Sequence, residues 1–276
     1  MTKYALDAEF VFNSFLGQQG PLERLQSVLV QNAPSWAKDI HIWEGRGKST
    51  PVDTLTPDGL RRAVLDAAGY RGSSYEFLVS KYGPGNERLF GSAEVRGGTN
   101  EFLVVVDVDE DPSSRIGERL LFGNSVSIQV RRAKVDGVAA ALWLRAVFLD
   151  LCRETSPAWA SARQASEYWA KVMTEKPSVR ADGRDFSRFL PGLFWINFFG
   201  RPYLDLIGSV RVSETPAINV ENLNGGAYVQ IYESPIAWDE PSSKRAEAAA
   251  LRHLGEELFY SKGEPTRRTR APEWKL

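Results

Sequence analysis

The sequence predicts an α+β protein, with mostly antiparallel sheets packed against helices and a central apolar helix near residues 137–153. Three observations carry this. Strand-like and helix-like segments are interspersed without the regular βα alternation that builds a parallel sheet. From Gly137 to Arg153, Val138, Ala141, Leu142, Leu144, Val147, Phe148 and Leu151 cover most of a helix's circumference, which places that helix centrally. Leu193 to Phe199 is uncharged, too short for a typical helix, and framed by the turn signals Pro191-Gly192 and Gly200-Arg201-Pro202. It suits a strand buried on both faces.

From the N-terminus, Tyr4 to Phe15 alternates, with Leu6, Ala8, Phe10 and Phe12 on one face and Asp7, Glu9 and Asn13 on the other. Val11 is the exception, and the pattern is an amphipathic first strand. Gly17 to Gly20 is a turn, and Pro21 opens a helix to about Asn32 with Leu22, Leu25, Val28 and Leu29 at helical spacing. Asp39 to Glu44 is a short strand, and Gly45 to Pro51 reads as a polar loop. Thr56-Pro57-Asp58, an N-cap followed by a first-turn proline, starts a helix that ends at Gly69. Tyr75 to Tyr82 and Arg88 to Val95 are predicted strands joined by Gly83-Pro84-Gly85-Asn86. Phe102 to Val108 is a valine-rich strand, Asp109 to Glu118 a polar loop, and Ser125 to Val130 a further strand.

In the second half, Asp136 caps the central helix, and Pro157 to Arg163 alternates again as a strand. Ser166 caps a short helix to Met173 that buries Tyr168, Trp169 or both, and Lys176 to Arg188 is a polar connection. After the aromatic strand, Pro202 suits the first turn of a helix over Tyr203 to Ile207, closed by Gly208. Val210 to Val212, Ala217 to Val220 and Ala227 to Tyr232 read as a small meander, with Asn224-Gly225-Gly226 as its hairpin turn. Pro241 starts a last helix to about Tyr260, with Ala246, Ala250, Leu251, Leu254 and Leu258 as its apolar stripe. The tail is basic and loose.

The totals bound the function. At 276 residues the chain is one large domain or two small ones. With no clear linker it is taken as one domain over 1–276, divisible into subregions 1–133 and 134–276. A net charge of −1 argues against a strongly basic nucleic-acid binder, so no direct nucleic-acid contact is expected. The single Cys152 forms no internal disulfide, which fits a reducing compartment. Asp7 and Glu9 interrupt any signal-peptide core, and no run approaches the roughly 18 apolar residues of a membrane span. The expectation is a soluble cytoplasmic protein with no membrane contact.

Chemistry-bearing patterns are scarce. His41 and His253 have no partner at metal-ligand spacing and Cys152 has no CxxC mate, so no metal site is assigned. There is no GxSxG elbow, GxGxxG turn or GxxxxGK[ST] loop, and no catalytic residue or cofactor is assigned. The concentrated charge feature is Asp107-Val108-Asp109-Glu110-Asp111-Pro112. Carboxylates leaving a strand hold a divalent cation, engage a basic partner, or simply solvate a loop. Arg267, Arg268 and Arg270 cluster near the C-terminus as a frayed basic tail.

The phrase Pro191-Gly192-Leu193-Phe194-Trp195-Ile196-Asn197-Phe198-Phe199-Gly200, followed by Pro202-Tyr203, resembles a motif of bacterial immunity proteins of polymorphic-toxin and type VI secretion systems, of the type called immunity protein 52. Pro157 to Ala162 and Glu167-Tyr168 resemble that family's aromatic-rich segment after a long apolar helix, so the likeness covers roughly residues 136 to 232. It implies an α+β, non-enzymatic cytoplasmic protein that binds a cognate toxin effector, often a nuclease. Trp195, Asn197, Gly200 and Pro202 fall on the motif and are read as fold determinants. On this reading Asp107, Asp109, Glu110 and Asp111 form the partner-binding segment, facing a nuclease's basic groove. Monomer and homodimer both stay open. The alternatives are a metal-dependent hydrolase using Asp107 and Asp109 with Glu9 or Asp7, and a non-catalytic adaptor subunit.

Overall fold

A computed structural model of the chain describes residues 4–14, 19–32, 40–44, 48–51, 90–97, 102–109, 113–116, 119–122, 124–131, 137–172, 185–264 and 269–274. Strand β1 (Tyr4–Phe12) leads to helix α1 (Gln19–Gln31), then β2 (Ile40–Glu44), β3 (Lys48–Pro51), β4 (Phe90–Gly97) and β5 (Phe102–Asp109). A hairpin of β6 (Ser113–Ile116) and β7 (Arg119–Phe122) precedes β8 (Asn124–Arg131) and the long helix α2 (Gly137–Thr155). There follow β9 (Trp159–Gln164), α3 (Ala165–Val172), β10 (Ile196–Gly200), α4 (Arg201–Ile207) and α5 (Ser209–Ser213). The chain closes with β11 (Asn219–Leu223), β12 (Gly226–Gln230) and α6 (Pro241–Leu254).

Ten strands make one sheet in the order β11-β12-β10-β9-β1-β8-β5-β4-β2-β3, and every ladder in it is antiparallel. The α+β architecture expected from the sequence is therefore the observed one. The sheet takes strands from both sides of the 133/134 division, because β1 pairs with β8 on one side and β9 on the other.

Register lines up one apolar row across six strands. Tyr228, Phe198, Ala160, Phe10, Val126 and Val106 sit side by side, each at most 1% exposed. Helix α2 packs on this row, with the Phe148 ring 5.0 Å from Phe10 and 6.2 Å from Tyr228. Burying a ring such as Phe148 is worth roughly 1.5–3 kcal/mol. α2 is central, as its composition predicts, but not on all sides: Val138 and Leu142 are exposed. Its inner flank instead buries Ala140, Leu144, Val147, Phe148, Leu151 and Cys152. Helix α1 lies against α2, and the Trp143 indole donates to the Asn32 carbonyl at 2.7 Å.

The alternate residues of β1, β9 and β10 face the other way, and they are also covered. Here α3 and the segment 185–195 lie over the sheet, with Phe186 5.7 Å from Trp159. The 190 and 259 backbones bridge: Leu190 N–H donates to Leu258 O and Tyr260 N–H to Leu190 O, both at 2.8 Å. All of β10 is buried, as the uncharged run between two turns predicts, but the strand covers Ile196–Gly200 and not Leu193 to Phe199, because Leu193 to Trp195 form the bend that Asn197 closes.

Several sequence expectations change. Lys48 to Pro51, expected as loop, forms β3, and Ser113 to Ile116 forms β6, because short polar strands carry no strong pattern. Val210 to Val212 lies in helix α5, not in the meander, which keeps only β11 and β12. The last helix stops at Leu254 because Gly255 takes φ +106°, which an L side chain rarely adopts, and Glu256–Leu258 continues as a short 3₁₀ turn. In the tail, Trp274 is docked: its ring meets Tyr203 edge-on at 5.6 Å and its indole donates to the Phe186 carbonyl at 3.1 Å. The helix expected from Thr56, the strand Tyr75 to Tyr82 and its following turn lie outside the described residues.

Candidate functional site

The aromatic motif is held in the sheet by contacts that can be named. Asn197 is fully buried, and its side chain closes on the backbone of Phe194: Phe194 N–H donates to Oδ1 at 3.0 Å and Nδ2 donates to Phe194 O at 2.9 Å. One amide thus satisfies a carbonyl and an N–H that the bend before β10 would leave unpaired. Trp195 is buried at 2% exposure, and its carbonyl accepts from Ile231 N–H at 3.0 Å. Gly200 donates to Ala158 O at 3.0 Å; a Cβ there would sit 2.6 Å from that oxygen and closer still to Pro157 O. Pro202 sits at the start of α4, where its missing N–H costs nothing.

Beneath the motif lies a charged layer. On β9, Arg163 stands opposite Asp7 of β1, and its Nη2 pairs with Glu9 Oε2 at 3.1 Å. Arg163 also donates to the Ser161 hydroxyl. Its guanidinium carbon lies 4.1 Å from the Tyr168 ring centroid and 5.0 Å from that of Phe194, so an aromatic lid from α3 and the motif covers it. Arg163 and Glu9 are 4% and 6% exposed. Burial pushes the half-buried Asp7 carboxyl up from 3.8 to about 6, against the pull of Arg163 and with a smaller push from Glu9.

A second knot ties three elements together. Lys171 of α3 donates to Glu167 Oε1 at 2.7 Å and to Leu193 O at 2.7 Å, and pairs with Glu247 Oε2 of α6 at 2.8 Å. That uses its three N–H donors. Glu167 is 0% exposed and also accepts from the Tyr232 hydroxyl. Burial raises its pKa, with Lys171 and Tyr232 opposing the rise. Its Oε2 has no hydrogen-bond partner among the described residues. Beside this knot a cleft of about 400 Å³ is lined by Lys171, Leu193, Glu247, Glu256, Tyr260 and Lys262 among others. Of the two aromatics expected to be buried by α3, Tyr168 packs half-buried against the core and Trp169, next in sequence to the lining residue Ala170, is 49% exposed; the helix also buries Glu167.

The residues singled out from the sequence fall in separate places. Asp107 pairs in register with Ser92 and Ser125, and Asp109 with Phe90 at the end of β5. Glu110 and Asp111 lie outside the described residues. Asp107 is two strands from β1, and Glu9, offered as its partner in a metal site, is engaged by Arg163. No group of three His, Cys, Asp or Glu side chains able to hold a metal is present among the described residues. The His253 ring is bonded to the Arg211 carbonyl at 2.7 Å, and Cys152 is fully buried. No helix among the described residues is long and apolar enough to cross a membrane.

Arg163 and Lys171 did not stand out in the sequence, and Glu167 did so only within the family resemblance, not as a charged group. Arg163 ends an alternating strand, where a charge reads as solvent-facing, and Glu167–Lys171 is an ordinary i,i+4 helix pair. The packing of α3 over the sheet buries Arg163 and Glu167 and leaves Lys171 half-buried.

No family model matches the chain, and no curated protein matches it. Among solved structures the chain is similar to Pseudomonas aeruginosa T6SS protein PA0821, with a TM-score of 0.52 at 14% sequence identity, over 95% of this chain and 86% of that one. At that identity the likeness is one of fold.

Proposed function

We propose that this chain is an immunity protein: it binds a cognate toxin effector, a nuclease, in stoichiometric contact and neutralises it in the cytoplasm without catalysis of its own. The observation that carries the reading is the fold likeness, over nearly the whole chain, to a protein described as belonging to T6SS, the type VI secretion system. The aromatic motif, which resembles that of immunity protein 52, supports the same reading from the sequence.

The test is co-expression with the product of the neighbouring gene. That product should kill cells alone, be harmless beside this chain, and co-purify with it near one to one. A chain that protects no cell and purifies alone from that strain would sink the reading. On this proposal the acidic segment Asp107, Asp109, Glu110 and Asp111 meets the toxin's basic groove. Reversing Asp109, Glu110 and Asp111 to Lys should slow association and weaken its dependence on salt. Unchanged association kinetics in that variant would discard the segment and leave the function standing.

A further inference from the structure

The sheet has two edges, and they are built differently. At one end β3 has four residues, begins with Lys48 and ends with Pro51. Short length, lysine and proline are the devices that stop a sheet edge from recruiting another strand. At the other end β11 reads Asn219-Val220-Glu221-Asn222-Leu223, with neither lysine nor proline. Its inner side is paired with β12, and no described strand lies beyond it. Exposed apolar side chains flank it: Ile218, just before the strand, is 48% exposed, and Val210 on the adjoining α5 is 66% exposed.

We propose that the outer edge of β11 is a docking site for an extended strand of another protein, which joins the sheet by main-chain hydrogen bonding. An edge of unpaired backbone groups selects an extended peptide, and its side chains set which one. Glu221 stands opposite Tyr228, on the α2 face of the sheet, where Arg153 Nη2 holds its Oε1 at 2.7 Å. Val220 stands opposite Val229 on the other face. With Asp150 also on Arg153, the cluster holds two carboxylates to one guanidinium, so the incoming strand is apolar where it neighbours Ile218 and Val220, and carries Lys or Arg where it neighbours Glu221. A second copy fits less well. Full antiparallel overlap of β11 with itself is centred on Glu221, and sets the two Glu221 carboxylates directly opposite each other. The occupant is thus a chain of different sequence. This rests on the immunity reading only in naming the toxin as that chain.

The test uses the full chain and two synthetic peptides of about seven residues, the length of an ordinary strand. One peptide alternates Val with Lys and the other Val with Glu. With the Val/Lys peptide, amide exchange should slow within 219–223, and Ile218→Lys should abolish the effect. Glu221→Lys should weaken the Val/Lys peptide about fivefold and strengthen the Val/Glu peptide comparably. Both variants change side chains at the surface, and a native-like circular dichroism spectrum checks that they fold. No protection at β11, equal binding of both peptides, or a dimer in sedimentation that pairs β11 with itself would each overturn the proposal. Protection of cells from the toxin separates the two readings. Full protection by the Ile218→Lys and Glu221→Lys chains sinks the edge alone. Peptide binding without any protection by the native chain sinks the immunity reading alone.

Discussion

Asn197 shows how one side chain sets a backbone. It was legible in the sequence as a lone amide inside an uncharged run, since a buried amide must find partners, and the structure supplies both from Phe194. Asn197→Ala leaves a buried N–H and C=O unsatisfied, and should lower stability by about 3 kcal/mol in urea unfolding. A loss under ~0.5 kcal/mol would mean the bend before β10 holds without it. Glu9 was not legible in the same way, because period-two alternation assigns it to water and only α3 and the motif cover that face. Asp7 shares that face and has a pH signature. Its folded pKa, about 6, lies above the 3.8 of an ordinary carboxyl, so the folded chain holds the proton more tightly. The stability this provides is full below about pH 4 and is lost as pH rises through about 6. Asp7→Asn cannot ionise and should be more stable than the native chain at about pH 7.5, by roughly 1–3 kcal/mol. Near pH 4 the two should differ little. Equal urea midpoints at both pH values would refute the assignment.

At the level of elements, strong patterns were readable and weak ones were not. The central place of α2 and the burial of β10 were readable because burial alone dictates their composition, whereas the start of β10 at Ile196 was not. β3 and β6 are short and polar, held by their neighbours' backbone, so nothing in their side chains announces a strand. The acidic segment was visible as composition, and the partner contact proposed for it is one that only a complex would show. The join between elements is equally hidden, and Lys171 is the clearest case. It bonds Glu167 on its own helix, Leu193 in the aromatic motif and Glu247 on α6. Lys171→Ala strands a fully buried carboxylate and should cost about 3 kcal/mol. Adding Glu167→Gln removes the stranded charge and should recover most of that loss, which a double-mutant cycle reads directly. Simple additivity of the two changes would show that the pair is not coupled.

At the level of the molecule, the sheet crosses the division between the two halves of the sequence. β9 depends on β1 for one side of its pairing, and Ala160 and Ala162 lie against Phe10 and Ala8. A fragment of residues 134–276 would expose that edge and half the apolar row. It should show no cooperative unfolding transition, whereas the full chain should. A sharp transition in the fragment would make it an independent folding unit. A last consequence follows from where Cys152 lies. It is the sole thiol of the chain, fully enclosed by the core between α2 and the sheet, and burial raises its pKa well above the usual thiol value. A buried thiol whose ionisation is disfavoured and which a reagent cannot reach will not react with an aromatic disulfide reagent while the core is shut. The labelling rate of the native chain therefore serves as a stopwatch for core opening, and a bound partner that steadies the fold would slow it without any change to the sequence.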